Sequence, residues 1–333
     1  MHLTDLWFVL IAVLWTGYLV LEGFDFGVGM LLPFVGRDEV DRRVAINTIG
    51  PVWDGNEVWL LVAGGATFAA FPAWYATMFS GFYLALLIIL VALIVRGVAF
   101  EYRGKIDNAR WRRNWDRAIV FGSAVPALLW GVALSNVVRG VPVDAREVYT
   151  GSLLTLLNPY ALLGGLTTLC LFALHGAVFL GLKADGPVRL RAAALVRPLG
   201  AATVLLAAAF LALTQRYGGS WLTWLLALAA ALCLLAGLAA ALRGREGWAF
   251  AGTAATVALA AVTLFTVLYP NVLPSTTDSA FNLTVTSAAS TPYTLGIMTW
   301  VAGFFTPVVL MYQAYTYWIF RRRVGREHIP VHA

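Results

Sequence analysis

Apolar residues gather in nine long runs separated by short polar connections. The runs cover approximately residues 6–32, 52–71, 75–99, 117–138, 159–182, 197–213, 221–242, 248–269 and 293–319. Crossing the hydrocarbon core takes about 20 apolar residues of helix, and each run reaches or approaches that length. None alternates with the period of two that a barrel strand requires. The runs therefore predict α-helices, whose backbone groups are satisfied internally. The longest connections are 33–51, 100–116, 139–158 and 270–292, and none has the composition of a linker to a separate domain. The pattern is that of an all-α polytopic membrane protein with nine transmembrane helices.

Composition supports this reading. The chain of 333 residues is 60% hydrophobic and 12% charged, with a mean hydropathy of +0.79. A soluble domain carries about 25% charge, so about half of that is missing. Cys170 and Cys233 both lie in apolar runs and offer neither a disulfide framework nor metal spacing. The first run lacks a basic leader and a small-residue cleavage site, so it is expected to be retained as a span. The net charge of +6 points to topology rather than nucleic acid, because the basic residues flank the runs. Nineteen of the 23 Lys and Arg flank runs 1, 3, 5, 7 and 9 on one side, and three lie on the other. That asymmetry predicts an external N-terminus and a cytoplasmic Arg321-Arg322-Arg323 tail.

Two acidic motifs interrupt the hydrocarbon, Glu22-Gly23-Phe24-Asp25-Phe26-Gly27 and Trp53-Asp54-Gly55-Asn56-Glu57. A carboxylate at bilayer depth costs about 2.5–3.5 kcal/mol on insertion scales, and such groups commonly handle protons, ions or charged ligands. With the orientation above, Glu22, Asp25, Asp54, Glu57, Arg96, Glu101 and Asp116 all fall toward the cytoplasmic face and are expected at one depth. Glu22 and Asp25 share a helix face, as do Asp54 and Glu57. The Gly23–Gly27 spacing permits a close helix contact that turns the acids inward. Plainer roles stand beside these: Asp54 as a helix cap, Glu57 as a snorkelling side chain, and Arg96 with Glu101 as an interfacial ion pair.

The chain has four histidines, His2, His175, His328 and His332, of which only His175 lies within a run. Bis-histidine haem ligation inside the membrane part is thereby ruled out. Ligation by His175 with Met298 or Met311 is conceivable, but a lone His on an apolar helix is more often a hydrogen-bonded packing residue.

Longer motifs carry a resemblance. They are Gly23-Phe24-Asp25-Phe26-Gly27-Val28-Gly29, Ile49-Gly50-Pro51-Val52-Trp53-Asp54-Gly55-Asn56-Glu57-Val58-Trp59-Leu60, and Arg96-Gly97-Val98-Ala99-Phe100-Glu101-Tyr102-Arg103. Trp111-Arg112-Arg113-Asn114-Trp115-Asp116, Leu157-Asn158-Pro159-Tyr160 and Tyr269-Pro270-Asn271-Val272-Leu273-Pro274-Ser275 continue the pattern. Together they resemble subunit II of cytochrome bd quinol oxidases over nearly the whole chain.

The resemblance implies two four-helix bundles plus one peripheral helix, with a first bundle at 1–138 and the second bundle, peripheral helix and basic tail at 139–333. It implies a non-haem-carrying subunit of a quinol:oxygen oxidoreductase in a bacterial cytoplasmic membrane. Haems b and d would belong to the partner, subunit I, and no cofactor to this chain itself. Menaquinol or ubiquinol would supply electrons, and protons taken from inside would be consumed without pumping. Small single-helix subunits, membrane lipids and a bound quinone are further partners compatible with the family. By position, Asp25, Asp54, Arg96 and Glu101 match a cytoplasmic proton-input route, and Trp59 matches a residue lining an oxygen path. Glu22, Glu57 and Asp116 are secondary candidates for the proton route. Val52 stands where some relatives carry His, which leaves Asp54 as the acceptor at the pathway mouth. No catalytic or metal-binding residue is assigned to this chain. Without the resemblance, a proton-coupled secondary transporter or a purely structural subunit are the competing readings.

Overall fold

The computed structural model describes residues 2–329. The first apolar run forms α1 (Leu3–Val35). At 1.5 Å per residue its 33 residues extend about 50 Å, past a hydrocarbon core of about 30 Å. Its last turns therefore project into the Arg-rich end of the molecule, called here the basic end. Helix α2 (Glu39–Ile49) follows there, inside a segment the apolar pattern left as a connection. It is too short and too polar to register as a span. The Asp38 side chain caps it by accepting from the Asp41 N–H at 2.8 Å, and Val44, Ala45 and Ile49 form its buried stripe.

The second run is α3 (Trp53–Ala70), whose Asp54, Asn56 and Glu57 make its opening turns polar. The third run predicts one helix, but the structure has two, α4 (Pro72–Gly81) and α5 (Tyr83–Tyr102), separated at Phe82. The ring of Tyr149 lies against Gly81 beside this break, and Phe82 is buried. Then come α6 (Ala109–Arg139), α7 (Pro159–Lys183), α8 (Gly186–Thr214), α9 (Trp221–Leu242), α10 (Glu246–Leu268) and α11 (Pro292–Ile319). Helices α6 and α8 begin about two to three turns before their apolar runs because arginines mask the pattern there. Among the described residues, eight helices have the length and apolarity of a membrane span, and α3 makes a ninth with its polar opening.

Helices α1, α3, α5 and α6 pack as one group and α7–α10 as another, with α1 and α6 against α7 and α10 at the seam. At that seam Gly27 of α1 meets Gly176 of α7 backbone to backbone. Helix α11 stands apart. Leu295 is its single buried residue, and residues 303–312 are exposed on every face of the helix. It touches the body near its two ends, first where the Trp7 indole donates to the Leu295 carbonyl and Thr299 hydroxyl, both at 3.1 Å. The end opposite the basic one is closed by the 139–158 and 270–292 connections and a small antiparallel pair, β1 (Asn271–Leu273) and β2 (Leu283–Thr284).

After α11 the chain folds back over the basic end. The Val324 N–H donates to the Lys183 carbonyl at 2.8 Å, and the Asp185 N–H donates to the Val324 carbonyl at 2.9 Å. Arg326 pairs with Asp38 and, at 3.1 Å, with Asp41, while Ile329 is buried beside them.

Candidate functional site

A buried polar cluster forms where α1, α3, α5 and α11 converge. Glu22 and Asp25, one turn apart on α1, are both completely buried, as is Arg96 of α5. The Arg96 guanidinium pairs with Glu22 and reaches Glu57 of α3 at 3.3 Å. Its room comes from Gly122 of α6, which lies against the Arg96 backbone and Cβ. The Phe26 ring covers the guanidinium at 4.7 Å from its centroid, so the cation has an aromatic floor as well as carboxylate partners. Glu57 keeps 24% of its side chain exposed and is the member of the group in touch with the surroundings.

Asp25 makes a different contact. The Asn56 amide of α3 donates to its Oδ2 at 2.6 Å. The Asn56 carbonyl oxygen in turn accepts from the Tyr317 hydroxyl at 2.9 Å and the Gln313 amide at 3.4 Å, both on α11. Gln313 Oε1 accepts from the Trp59 indole at 2.9 Å. Within the described residues, Glu22 Oε2, Asp25 Oδ1 and Arg96 Nε and Nη1 are buried without a hydrogen-bond partner. Buried polar atoms of this kind are usually satisfied by ordered water.

The structure thus brings together Glu22, Asp25, Glu57 and Arg96, with Trp59 linked to them through Gln313. It does not gather all seven ionisable candidates at one place. Asp54 is exposed at the start of α3, where its Oδ1 accepts from the Gly55 N–H at 2.8 Å. Glu101 is exposed and forms no ion pair among the described residues, so the Arg96–Glu101 pair does not form. Five residues apart on one helix, the two point about 140° away from each other. Asp116 belongs to a second network at the basic end. There Arg103 holds Asp116 at 2.5 Å and Glu39 through two bonds of 2.8 Å, while Arg42 and Arg112 flank them.

Sequence reasoning missed Asn56, Gln313, Tyr317 and Arg103. Asn56 and Arg103 lay inside motifs already singled out. Gln313 and Tyr317 carried one signal, being polar groups one turn apart in an apolar helix.

His175 does not offer a haem ligand. Its Nε2–H donates to the Val20 carbonyl at 3.2 Å, which leaves Nδ1 to accept from the Thr253 hydroxyl at 2.7 Å. The ring stacks on Phe250 at 4.8 Å. Both nitrogens are committed within the protein, and Met298 and Met311 lie on α11, which packs on α1 and α3 rather than on the His175 helix. His332 lies outside the described residues. Among those residues, no group of three or more His, Cys, Asp or Glu is placed to hold a metal ion. An apolar cavity of about 260 Å³ lies between α7, α8, α9 and α10, lined by residues including Leu171, Phe172, Trp224, Ala227 and Leu264.

Comparison with known proteins connects this architecture to a family. Residues 3–320 match the family described as cytochrome bd terminal oxidase subunit II. Cytochrome bd ubiquinol oxidase subunit 2 of Bacillus subtilis is 41% identical over 330 residues, covering 98% of each chain. Cytochrome bd-I ubiquinol oxidase subunit 2 of Escherichia coli K12 is 38% identical, covering 97% of this chain and 96% of its own. A chain from the structure of bd oxidase of Geobacillus thermodenitrificans superposes with a TM-score of 0.77 at 20% identity, covering 96% of this chain and 99% of its own, which shows the shared fold. The match over residues 3–320 and relatives 38–41% identical over nearly the whole chain lead to one conclusion: this chain belongs to the cytochrome bd terminal oxidase subunit II family.

Proposed function

We propose that this chain carries protons from the cytoplasm toward the oxygen-reducing site of a haem-bearing subunit I. Reduction of dioxygen to water consumes protons and electrons in equal number. Relatives named as ubiquinol oxidase subunits support a quinol as the electron donor. Protons would enter at the basic end, whose excess of Lys and Arg supports a cytoplasmic position in a bacterial cell. Asp54 and the partly exposed Glu57 form the mouth, and Arg96 leads to Glu22 and Asp25. Glu101 and Asp116 then act outside the buried cluster, shaping the field at the mouth.

The observation that carries this reading is the buried cluster itself. Three carboxyls gather about one guanidinium, two of them in contact with it, which is more acid than one cation neutralises, and among the described residues several polar atoms of the cluster have no protein partner. Such a group has both the chemistry to exchange protons and the sites for water to relay them. Trp59, held between α3 and α11, stands beside this route and would border an oxygen path. The apolar cavity in the second bundle suits an isoprenoid or acyl tail from quinone or lipid. The haems b and d would be held by subunit I.

The test is quinol-driven oxygen consumption by the purified complex carrying Asp25→Asn or Asp54→Asn, with haem content measured on the same samples. Normal haem with turnover reduced by at least about tenfold is expected, a modest share of what proton transfer by a positioned group contributes. Normal turnover in both variants overturns the reading and leaves the subunit a scaffold.

A further inference from the structure

We infer that Trp59, Gln313 and Asn56 form a polarity relay that decides which oxygen of Asp25 can carry a proton. This inference rests on the proton-input reading above and adds positioning residues to it. An indole N–H only donates, so the Trp59 contact at 2.9 Å turns the oxygen of the Gln313 amide toward α3. The nitrogen of that amide then faces Asn56, 3.4 Å away, and requires an acceptor there. Asn56 meets this requirement with its carbonyl oxygen, to which the Tyr317 hydroxyl also donates at 2.9 Å. The Asn56 NH2 is thereby directed to Asp25, 2.6 Å from Oδ2.

Asp25 Oδ2 facing this donor is an acceptor whether the carboxyl is ionised or protonated. A proton on Asp25 must sit on Oδ1, the oxygen without a protein partner among the described residues. Oδ1 is thus the atom through which Asp25 takes up and releases its proton. Without the relay the Asn56 amide keeps only its NH2 contact to the Leu21 carbonyl, at 3.5 Å, against turning over. Turned over, it would present its oxygen to Asp25, which would have to donate to it and would be held in the protonated form.

The location of the two outer members makes the inference testable. Gln313 and Tyr317 are partly exposed on α11, and the ten residues before Gln313 are exposed, so removing their polar groups opens no cavity in the core. The variants are Gln313→Leu and Tyr317→Phe in the intact complex, assayed with a short-chain ubiquinol in H2O and D2O. We expect haem content and KM for quinol to stay at the parent values while kcat falls. For Gln313→Leu the drop is about fivefold, the factor one modest hydrogen bond contributes. The solvent isotope effect should rise with it. Adding Gln313→Leu to Asp25→Asn should have no further effect, because the relay acts only through Asp25.

Two results overturn the relay while leaving the proton-input reading intact. One is Gln313→Leu and Tyr317→Phe both turning over like the parent while Asp25→Asn is crippled. The other is a loss of turnover matched by loss of haem, which is a structural effect. Full activity of Asp25→Asn instead removes the underlying reading, and the relay with it.

Discussion

Glu22 and Arg96, both completely buried, form an ion pair that joins α1 to α5 inside the membrane-spanning body. Arg96 also contacts Glu57, so one guanidinium links three helices that are distant in the chain.

Removing one member of such a pair leaves an uncompensated buried charge, at a cost of about 3–5 kcal/mol, whereas apolar replacement of both members is often tolerated. Arg96→Leu should therefore abolish assembly, seen as loss of haem from the purified complex. The double variant Arg96→Leu with Glu22→Leu should recover haem without recovering oxygen consumption. Recovery of full turnover would mean that the pair only holds helices together.

The seam between the two helix groups makes a steric prediction. A Cβ built on Gly27 falls 2.6 Å from the Gly176 Cα, closer than real Cβ contacts allow. Gly27→Ala and Gly176→Ala should each part α1 from α7 and sharply reduce the amount of complex in membranes. Gly55→Ala is the control, since a Cβ there meets nothing within 4 Å. It should be neutral, or gain up to about 1 kcal/mol from helix propensity. Equal yields of all three would contradict the close packing described.

His175 separates packing from ligation. Its hydrogen bonds to Val20 and Thr253 account for both ring nitrogens. His175→Phe keeps the stacking on Phe250 but removes the bonds to Val20 and Thr253, at a cost of about 0.5–1.5 kcal/mol per bond, while the Thr253 hydroxyl keeps the Ala249 and Phe250 carbonyls as acceptors. The complex should unfold at lower temperature with its haem absorbance spectrum unchanged per subunit. A changed haem spectrum in a stable variant would refute the packing role.

The clasp over the basic end should respond to pH and salt. The hydrogen bond from Arg326, aided by the Asp41 backbone N–H, holds the Asp38 carboxyl below the usual carboxylate range. A lowered folded-state value means the contribution is present above the ordinary value of about 4 and is lost as pH falls through the lower folded value. Hydrogen exchange of residues 321–329 should be constant, after correction for intrinsic rates, from neutral pH to about pH 5, and should accelerate below about pH 4. Because the pair is exposed, high salt at neutral pH should weaken it too. A segment indifferent to both conditions would be held by Ile329 and the backbone bonds alone.

The spans were legible because membrane solvation imposes a long apolar run on any helix that crosses it. Glu22, Asp25 and Arg96 were legible for the complementary reason, that charge in such a run is costly enough to stand out. Helix α2 was not, since eleven amphipathic residues look like a polar connection. The break at Phe82 was hidden because both halves of the run are equally apolar. Asn56 escaped notice as a neutral side chain between two acids, and its partners on α11 are more than 250 positions away in the chain. Asp54 and Glu101 lie outside the buried cluster. Their charge made them conspicuous, but only helix phase and packing decide which way a side chain faces.

The segment after α11 draws its partners from Asp38 and Asp41, Lys183 and Asp185, and Glu246. All of them are synthesised before it, and they come from three separate corners of the basic end. The clasp can therefore close only after α1, α7, α8 and α10 have been inserted and brought together. Its closure needs all of these corners in place at once, so the segment ties the earlier-made helices together last.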